Sequence, residues 1–231
     1  MENRGYTNPD LLWSVEELNG RLSDPSVRIV DTRPVHEYVV GHIPRAISLD
    51  VYGISLVDTG PDAFNAFMNM YAYLFHSRGV GTDQSVVFYE NNSGMRAARG
   101  FWACEYHGHR DVHVLDGGFD AWKSAGIEIS TEGVEVEAAE FNSEPVVERA
   151  IGYQEILDSL SREIFVPLDT RSDGEHYGTT VRAARGGSIP GAIHVEYVNN
   201  LDEQGCYKPA NDLRSMYERA GVMPEQTIAC Y

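Results

Sequence analysis

Short, unbroken apolar runs alternate along this chain with stretches whose apolar residues recur at helical spacing. Val27-Arg-Ile-Val-Asp31 and Ile164-Phe-Val-Pro-Leu-Asp169 each close on an aspartate, and Ser85-Val-Val-Phe-Tyr89 and Thr227-Ile-Ala-Cys-Tyr231 each close on a tyrosine. Runs without a polar alternate predict strands of a parallel sheet buried on both faces. Between them, Ser14-Val-Glu-Glu-Leu opens with a serine cap and has an acid three residues on, the signature of a helix N-terminus. Gly152 to Leu160 and Asn211 to Ala220 carry apolar residues at helical intervals. The alternation predicts an α/β fold with helices on both faces of the sheet.

The pattern also repeats. Residues 29–47 read IVDTRPVHEYVVGHIPRAI and residues 167–193 read PLDTRSDGEHYGTTVRAARGGSIPGAI. Both contain Asp-Thr-Arg, a His/Glu/Tyr cluster and Gly-x-Ile-Pro-x-Ala-Ile, with eight extra residues in the second copy. GVGTDQSVVFYE at 79–90 then matches GVMPEQTIACY at 221–231 without a gap, at an offset of 142. Two matching pairs in the same order indicate a duplicated domain. The expected organisation is a first domain over 8–128, an acidic linker without a helical stripe over 129–147, and a second domain over 148–231.

Composition narrows the function classes. With 35 acidic residues against 18 basic ones, the formal charge is -17. Such a field makes nucleic acid and anionic membrane poor partners. Lys123 and Lys208 are the only lysines, so arginine supplies nearly all the positive charge. No run approaches the ~18 apolar residues of a membrane helix, and the first residues lack the layout of a secretory signal. The expected location is the cytoplasm. Cys104, Cys206 and Cys230 are odd in number and far apart, so neither a disulfide framework nor a zinc site is expected. No metal and no cofactor is anticipated.

At this point the motifs resemble those of the rhodanese family, specifically its tandem thiosulfate and mercaptopyruvate sulfurtransferases. The entry signature resembles Asp31-Thr-Arg-Pro-Val-His-Glu-Tyr-Val-Val-Gly-His-Ile-Pro-Arg-Ala46, and the closing one Gly108-His-Arg-Asp-Val-His-Val-Leu-Asp-Gly-Gly-Phe-Asp-Ala-Trp122. The resemblance implies two tandem rhodanese-like α/β domains, the second incomplete at its C-terminus. It also implies a chemistry: a cysteine thiolate after a strand takes a sulfane sulfur from a small anionic donor such as thiosulfate. The resulting persulfide passes that sulfur to a thiophilic acceptor such as cyanide. A loop of backbone N–H groups ending at a helix N-terminus would lower the thiolate pKa without a metal.

In the family the nucleophile comes directly after the apolar strand. In copy one that position holds Glu90, which cannot carry a persulfide, so copy one is expected to be non-catalytic. In copy two the ungapped repeat aligns Tyr231 with Tyr89 and places the nucleophile just after Tyr231, with a segment like the 36 residues that follow Glu90 up to Gly126 expected beyond it. Cys230 is the substitute within the chain, but it requires a one-residue slip, which turns a strand side chain to the other face. Cys104 is expected in the core, and Cys206 in a turn.

On the substrate side, Asp169 and Arg171 are expected to steady the strand end. Arg182 and Arg185, in the eight-residue insertion, are the candidates for binding the anionic donor. Mercaptopyruvate enzymes have an arginine shortly after the Asp-x-Arg strand end, whereas Asp173-Gly-Glu-His-Tyr177 has none. This departure puts thiosulfate ahead of mercaptopyruvate. A rhodanese-like phosphatase and a non-catalytic interaction module are the alternatives outside sulfur transfer. Nothing in the sequence addresses oligomeric state.

Overall fold

The computed structural model describes residues 4–56 and 58–231, which cluster into two compact units. The first comprises residues 7–150 together with Glu203–Tyr207. Its strands are β1 (Leu12–Trp13), β2 (Val27–Asp31), β3 (Ile47–Ser48), β4 (Ser85–Tyr89) and β5 (Val112–Leu115). All pair in parallel, in the order β1-β5-β4-β2-β3. Its helices are α1 (Val15–Gly20), α2 (Val35–Tyr38), α3 (Pro61–Ser77), α4 (Met95–Tyr106) and α5 (Gly118–Ser124).

The unbroken apolar strands have the expected cause. On β4, Val86 and Phe88 enter one core with Phe67, Tyr71 and Phe75 of α3 and Ala97, Ala103 and Cys104 of α4. Val87 and Tyr89 enter the opposite core with Leu18, Phe119 and Trp122. Successive side chains point to opposite faces, so a sheet covered on both sides needs an apolar residue at every position. α1 starts as predicted, with Ser14 Oγ accepting from Glu17 N at 3.1 Å. α4 lies so close to β4 that a Cβ on Gly100 would sit 2.5 Å from the Phe88 ring.

The segment expected as a linker forms no α-helix and lies along this first unit. His42 and Ser130 form an antiparallel bridge, Ala139 N donates to His76 O at 3.0 Å, and Val146 N donates to Tyr106 O at 2.7 Å. Val134, Val136 and Phe141 pack against the α3/α4 core. The turn Glu203–Tyr207 is also part of this unit: Ser93 N donates to Gly205 O and Tyr207 N to Asp116 Oδ1, each at 2.9 Å.

The second unit comprises residues 4–6, 151–202 and 208–231 of the described chain. Its strands β6 (Phe165–Asp169), β7 (Ile193–His194) and β8 (Thr227–Cys230) form a parallel sheet in the order β7-β6-β8. Its helices are α6 (Tyr153–Ser159), α7 (Asp173–His176) and α8 (Ala210–Ala220). The strand order repeats β3-β2-β4 of the first unit. The counterparts of β1 and β5 have no place among the described residues of this unit. Asp31 opposes Tyr89 in the first register, and in the second Leu168 opposes Cys230, the step before Asp169 and Tyr231. Among the described residues no helix is long and apolar enough to cross a membrane.

Candidate active site

Each copy ends its central strand on a buried aspartate that organises the loops above it. In the first, Asp31 Oδ1 accepts from Arg33 N at 2.9 Å and Arg33 Nε at 3.0 Å, while Oδ2 accepts from Arg33 Nη2 at 2.6 Å and Tyr89 OH at 2.7 Å. Arg33 Nη2 also donates to Gly41 O at 2.7 Å, and Ile43 N donates to Tyr89 OH at 3.1 Å. One acid thus fixes the turn after β2, the Gly-His-Ile-Pro turn and the end of β4. Burial, then the Asp31 charge, pushes the Tyr89 phenol well above its ordinary value.

The second copy repeats this frame with one change, His176 Nδ1 standing at Asp169 Oδ2 where Tyr89 OH meets Asp31 Oδ2 in the first. Asp169 Oδ1 accepts from Arg171 N at 3.1 Å and Nε at 2.9 Å, and Oδ2 accepts from Arg171 Nη2 at 2.7 Å. Arg171 Nη2 also donates to Gly187 O, and Ile189 N to Tyr231 OH, each at 2.9 Å. Thr170 N donates to Tyr231 O at 2.9 Å, as Thr32 N does to Tyr89 O. Burial pushes the Asp169 carboxyl up, but the bonds from Arg171 and His176 outweigh it and hold the group below the usual carboxylate range.

Beyond β4 the chain enters a loop that closes on the start of α4. Glu90 turns its carboxylate onto that helix end, where Oε1 accepts from Arg96 N at 2.6 Å and Ala97 N at 3.2 Å. The helix's own N-cap, Gly94, has no side chain to do this. A Cβ on Gly94 would come within 2.7 Å of Glu90 Oε1, and one on Gly118 within 2.4 Å of Glu90 O. Burial raises the Glu90 carboxyl above its ordinary value, and the two backbone donors oppose the shift. The cradle in copy one therefore holds an anion, and that anion is the protein's own side chain.

Among the sequence-predicted residues, Asp169 and Arg171 meet as a pair at the strand end. Arg182 lies on the surface and pairs with Glu175 at 3.1 Å, its side chain 74% exposed. Through Glu175, which closes the capping box of α7 with Ser172, it borders the Asp169 turn. Arg185 is exposed and stands apart from this pair. Cys230 sits opposite Leu168 where Phe88 sits opposite Val30. Burial around its sulfur pushes its thiol up from its ordinary value, although the residue as a whole is exposed. That is the direction opposite to an activated thiolate. Cys104 is buried with its thiol pushed well up by burial, and Cys206 lies in the Glu203–Tyr207 turn.

A histidine pair joins the second frame, unforeseen from the sequence. His176 Nδ1 lies 3.0 Å from Asp169 Oδ2, and its ring stacks on His194 with centroids 4.3 Å apart and planes 9° from parallel. His194 contacts Asp169 O at 3.0 Å and Asp173 Oδ1 at 2.8 Å. His176 occupies the repeat position of Tyr38, which stacks on His42 at 3.8 Å in the first copy, but His194 stands at the position of Ser48, so the stack itself has no counterpart there. Ligand atoms of Asp169, His176 and His194 lie within 4.8 Å of one another, close enough for a shared metal. Two stacked parallel rings cannot both aim an in-plane lone pair at one ion, however, and Arg171 already covers the carboxylate. The cluster suits a stacked, charge-paired support better than a metal centre.

Comparison with known proteins bears on the fold that carries this frame. Residues 14–125 match the rhodanese-like domain family. The chain is 28% identical over 244 residues to the sulfur carrier protein TtuD of Thermus thermophilus, covering 98% of this chain and 84% of that protein. It is 28% identical over 242 residues to the thiosulfate sulfurtransferase of Corynebacterium glutamicum, covering 97% and 78% respectively. Among solved structures, SseA from Escherichia coli, described with the 3-mercaptopyruvate sulfotransferases, superposes with a TM-score of 0.82 at 23% identity, over 95% of this chain and 87% of that one. An anaerobic ergothioneine biosynthesis enzyme from Chlorobium limicola gives 0.80 at 23% identity, and this chain spans 96% of itself but 60% of that protein. With the Asp-x-Arg frame, the shared strand order and the matched domain in agreement, residues 14–125 of this chain form a rhodanese-like domain.

Proposed function

We propose that this protein is a sulfurtransferase that moves a sulfane sulfur from thiosulfate to a thiophilic acceptor such as cyanide through a cysteine persulfide. The observation that carries the reading is the equivalence of Tyr89 and Tyr231. Each accepts from the isoleucine N–H of its Gly-x-Ile-Pro turn, and each strand-end carbonyl accepts from the threonine after the aspartate. The position after the tyrosine then opens the cradle. In copy one it holds Glu90, a carboxylate; in copy two it is the position just after Tyr231, and a cysteine there is the nucleophile. The names of the relatives from Corynebacterium glutamicum and Thermus thermophilus support sulfur transfer.

The chemistry balances without a further reactant. The thiolate attacks the outer sulfur of thiosulfate, the S–S bond breaks, and sulfite leaves with the electron pair. Cyanide then attacks the terminal persulfide sulfur, forming thiocyanate and returning the thiolate. Asp169, Arg171 and Tyr231 position the strand end and touch no reacting atom. Arg182 and Arg185 supply positive charge for the donor in a chain of net charge -17. The test is intact mass of protein that carries the cysteine after Tyr231. Thiosulfate should add about one sulfur, and cyanide should remove it. Absence of a cyanide-sensitive adduct sinks the proposal.

A further inference from the structure

The two histidines on the Asp169 frame replace residues of a different kind. His176 stands at the repeat position of Tyr38, whose hydroxyl donates to Ala46 O at 2.8 Å. His194 pairs with Asp169 across β6 and β7, where Ser48 pairs with Asp31 across β2 and β3. Tyrosine and serine hydroxyls keep their protons near neutral pH, whereas histidine titrates there. The copy to which the proposed function gives the nucleophile thus carries two titratable rings at positions where the first copy has none.

Donors and acceptors around the rings set their charge. His194 Nδ1 lies 3.0 Å from Asp169 O, and its Nε2 lies 2.8 Å from Asp173 Oδ1. A carbonyl and a carboxylate accept and do not donate, so each of those nitrogens needs a proton. His176 Nδ1, 3.0 Å from Asp169 Oδ2, needs a third. Two neutral imidazoles supply only one N–H each. The further proton belongs on His194, whose two ring nitrogens both face acceptors.

The surroundings favour one added proton and resist a second. The rings stack with centroids 4.3 Å apart, so two imidazoliums would set like charges face to face. Asp169 from β6 and Asp173 from α7 draw positive charge to the pair, while Arg171 opposes it. Glu175 is engaged by Ser172 and Arg182. The Tyr177 ring meets both histidines edge-on, and the Tyr231 hydroxyl lies by the same aspartate.

We propose that His194 stands as an imidazolium at neutral pH and is a positioning residue, clamping α7 to the end of β6 through Asp173 and the Asp169 carbonyl. Loss of the proton turns a bare lone pair toward one of those oxygens and opens the clamp. The strand ends that Asp169 organises lose support, so sulfur transfer, on the function proposed above, slows as pH rises. Thiol ionisation acts in the opposite sense, because the reactive thiolate increases with pH.

The first test needs no turnover. Long-range nitrogen–proton correlation spectra of the histidine-labelled chain at pH 7, assigned with His194→Asn, report the protons on each ring. His194 should show both nitrogens protonated, where an ordinary histidine of pKa about 6.5 is mostly neutral. A neutral His194 at pH 7 overturns the proposal. The second test is kcat/KM for thiosulfate from pH 6 to pH 9, in protein carrying the cysteine after Tyr231. Corrected for thiol ionisation through the iodoacetamide labelling rate of that cysteine, the parent value should fall severalfold across the range. His194→Asn keeps a donor for Asp169 O but takes no charge, and His194→Ser installs the first copy's residue. Both corrected profiles should be flat, at or below the parent's value at pH 9. A flat parent profile, or a decline that survives in both variants, overturns the positioning role. A protonated His194 in a protein that forms no cyanide-sensitive adduct sinks the sulfur-transfer reading and the positioning role with it, and leaves the charge of His194 established.

Discussion

The Glu90 carboxylate lies 2.6 Å from the backbone nitrogen of Arg96 and caps α4 from six residues upstream. The side chain at the position that the proposed function equates with the nucleophile thus caps a helix of copy one, which separates its contribution to stability from any contribution to chemistry.

Replacing Glu90 with alanine should uncap Arg96 N and Ala97 N and cost about 1 kcal/mol, the usual scale of a lost helix cap. Thiosulfate:cyanide activity should stay within a few fold of the parent, because a carboxylate cannot carry sulfane sulfur. Thermal melts and steady-state rates check the two halves separately. A hundredfold loss of rate in a folded Glu90→Ala protein would place copy one in the chemistry.

Glu90→Gln isolates the charge. The folded-state pKa of Glu90 is raised, chiefly by burial. Such an acid contributes stability that is fully present below its unfolded pKa, about 4.3, and lost as pH rises through the folded value. Glutamine keeps an acceptor for the helix and does not titrate. The melting temperature of Glu90→Gln relative to the parent should therefore improve from pH 4 to pH 7. A difference that is flat, or of the opposite sign, contradicts the burial account.

Asp169 behaves in the reverse sense. Its pKa is lowered, so its stabilisation is present above the unfolded value, about 3.9, and is lost as pH falls from there through the folded value. Asp169→Asn removes the anion from Arg171 and His176 and should destabilise the protein by about 3 kcal/mol, the lower end for breaking a buried pair because Arg171 is partly exposed. Denaturant titrations at pH 7 and pH 3 should show a smaller gap between variant and parent at the lower pH.

The sequence announced this frame more clearly than its surroundings, for physical reasons. Asp31, Tyr89, Asp169 and Tyr231 sit at strand ends, where pairing register and burial restrict the residue, so duplication preserved the pattern. The Ser14 cap was legible because its partner Glu17 is three residues away. Capping of α4 by Glu90 was not, since it depends on how a loop folds back. The His176–His194 stack joins residues 18 apart through ring geometry that no periodicity reports. The acidic stretch after residue 128 reads as a spacer by composition. Its bonds to His42, His76 and Tyr106 are backbone bonds and leave no mark on residue type. The Glu203–Tyr207 turn joins the first unit through its own backbone, Gly205 O accepting from Ser93 N and Tyr207 N donating to the Asp116 carboxylate.

Close packing gives a further test. Gly100→Val would drive a side chain into the Phe88 ring, since even a Cβ would lie 2.5 Å away. Overpacking of this kind costs about 1–3 kcal/mol or more, and the cost should fall in the first unit. Paired Gly100→Val and Phe88→Leu substitutions should recover part of the loss, because the smaller side chain frees the space. A double mutant no better than the sum of the single changes would show that the ring is not the obstacle.

The proposed function gives the arginines of the insertion the task of holding the donor. A dianionic donor approaching a thiolate in so acidic a chain meets repulsion that local positive charge must offset. Arg182 and Arg185 lie in the segment that the first copy lacks. Their environments now separate their expected effects. Arg182 already pairs with Glu175 and is largely solvated, and an exposed pair contributes at most about 1 kcal/mol. Arg182→Ala should therefore weaken donor use by no more than several fold. Arg185 is exposed and forms no ion pair among the described residues. Its full charge is available to the donor, and one charge-assisted contact is worth about 1.5–3 kcal/mol, or roughly ten- to hundredfold. Arg185→Ala should lower kcat/KM for thiosulfate by that factor in protein carrying the nucleophile, while iodoacetamide, a neutral reagent, should label the thiol at the parental rate. Loss of both donor use and labelling would mean that Arg185 tunes the thiolate instead. Parental donor kinetics in both variants would reduce the insertion to a surface loop and move donor binding to the cradle's own N–H groups.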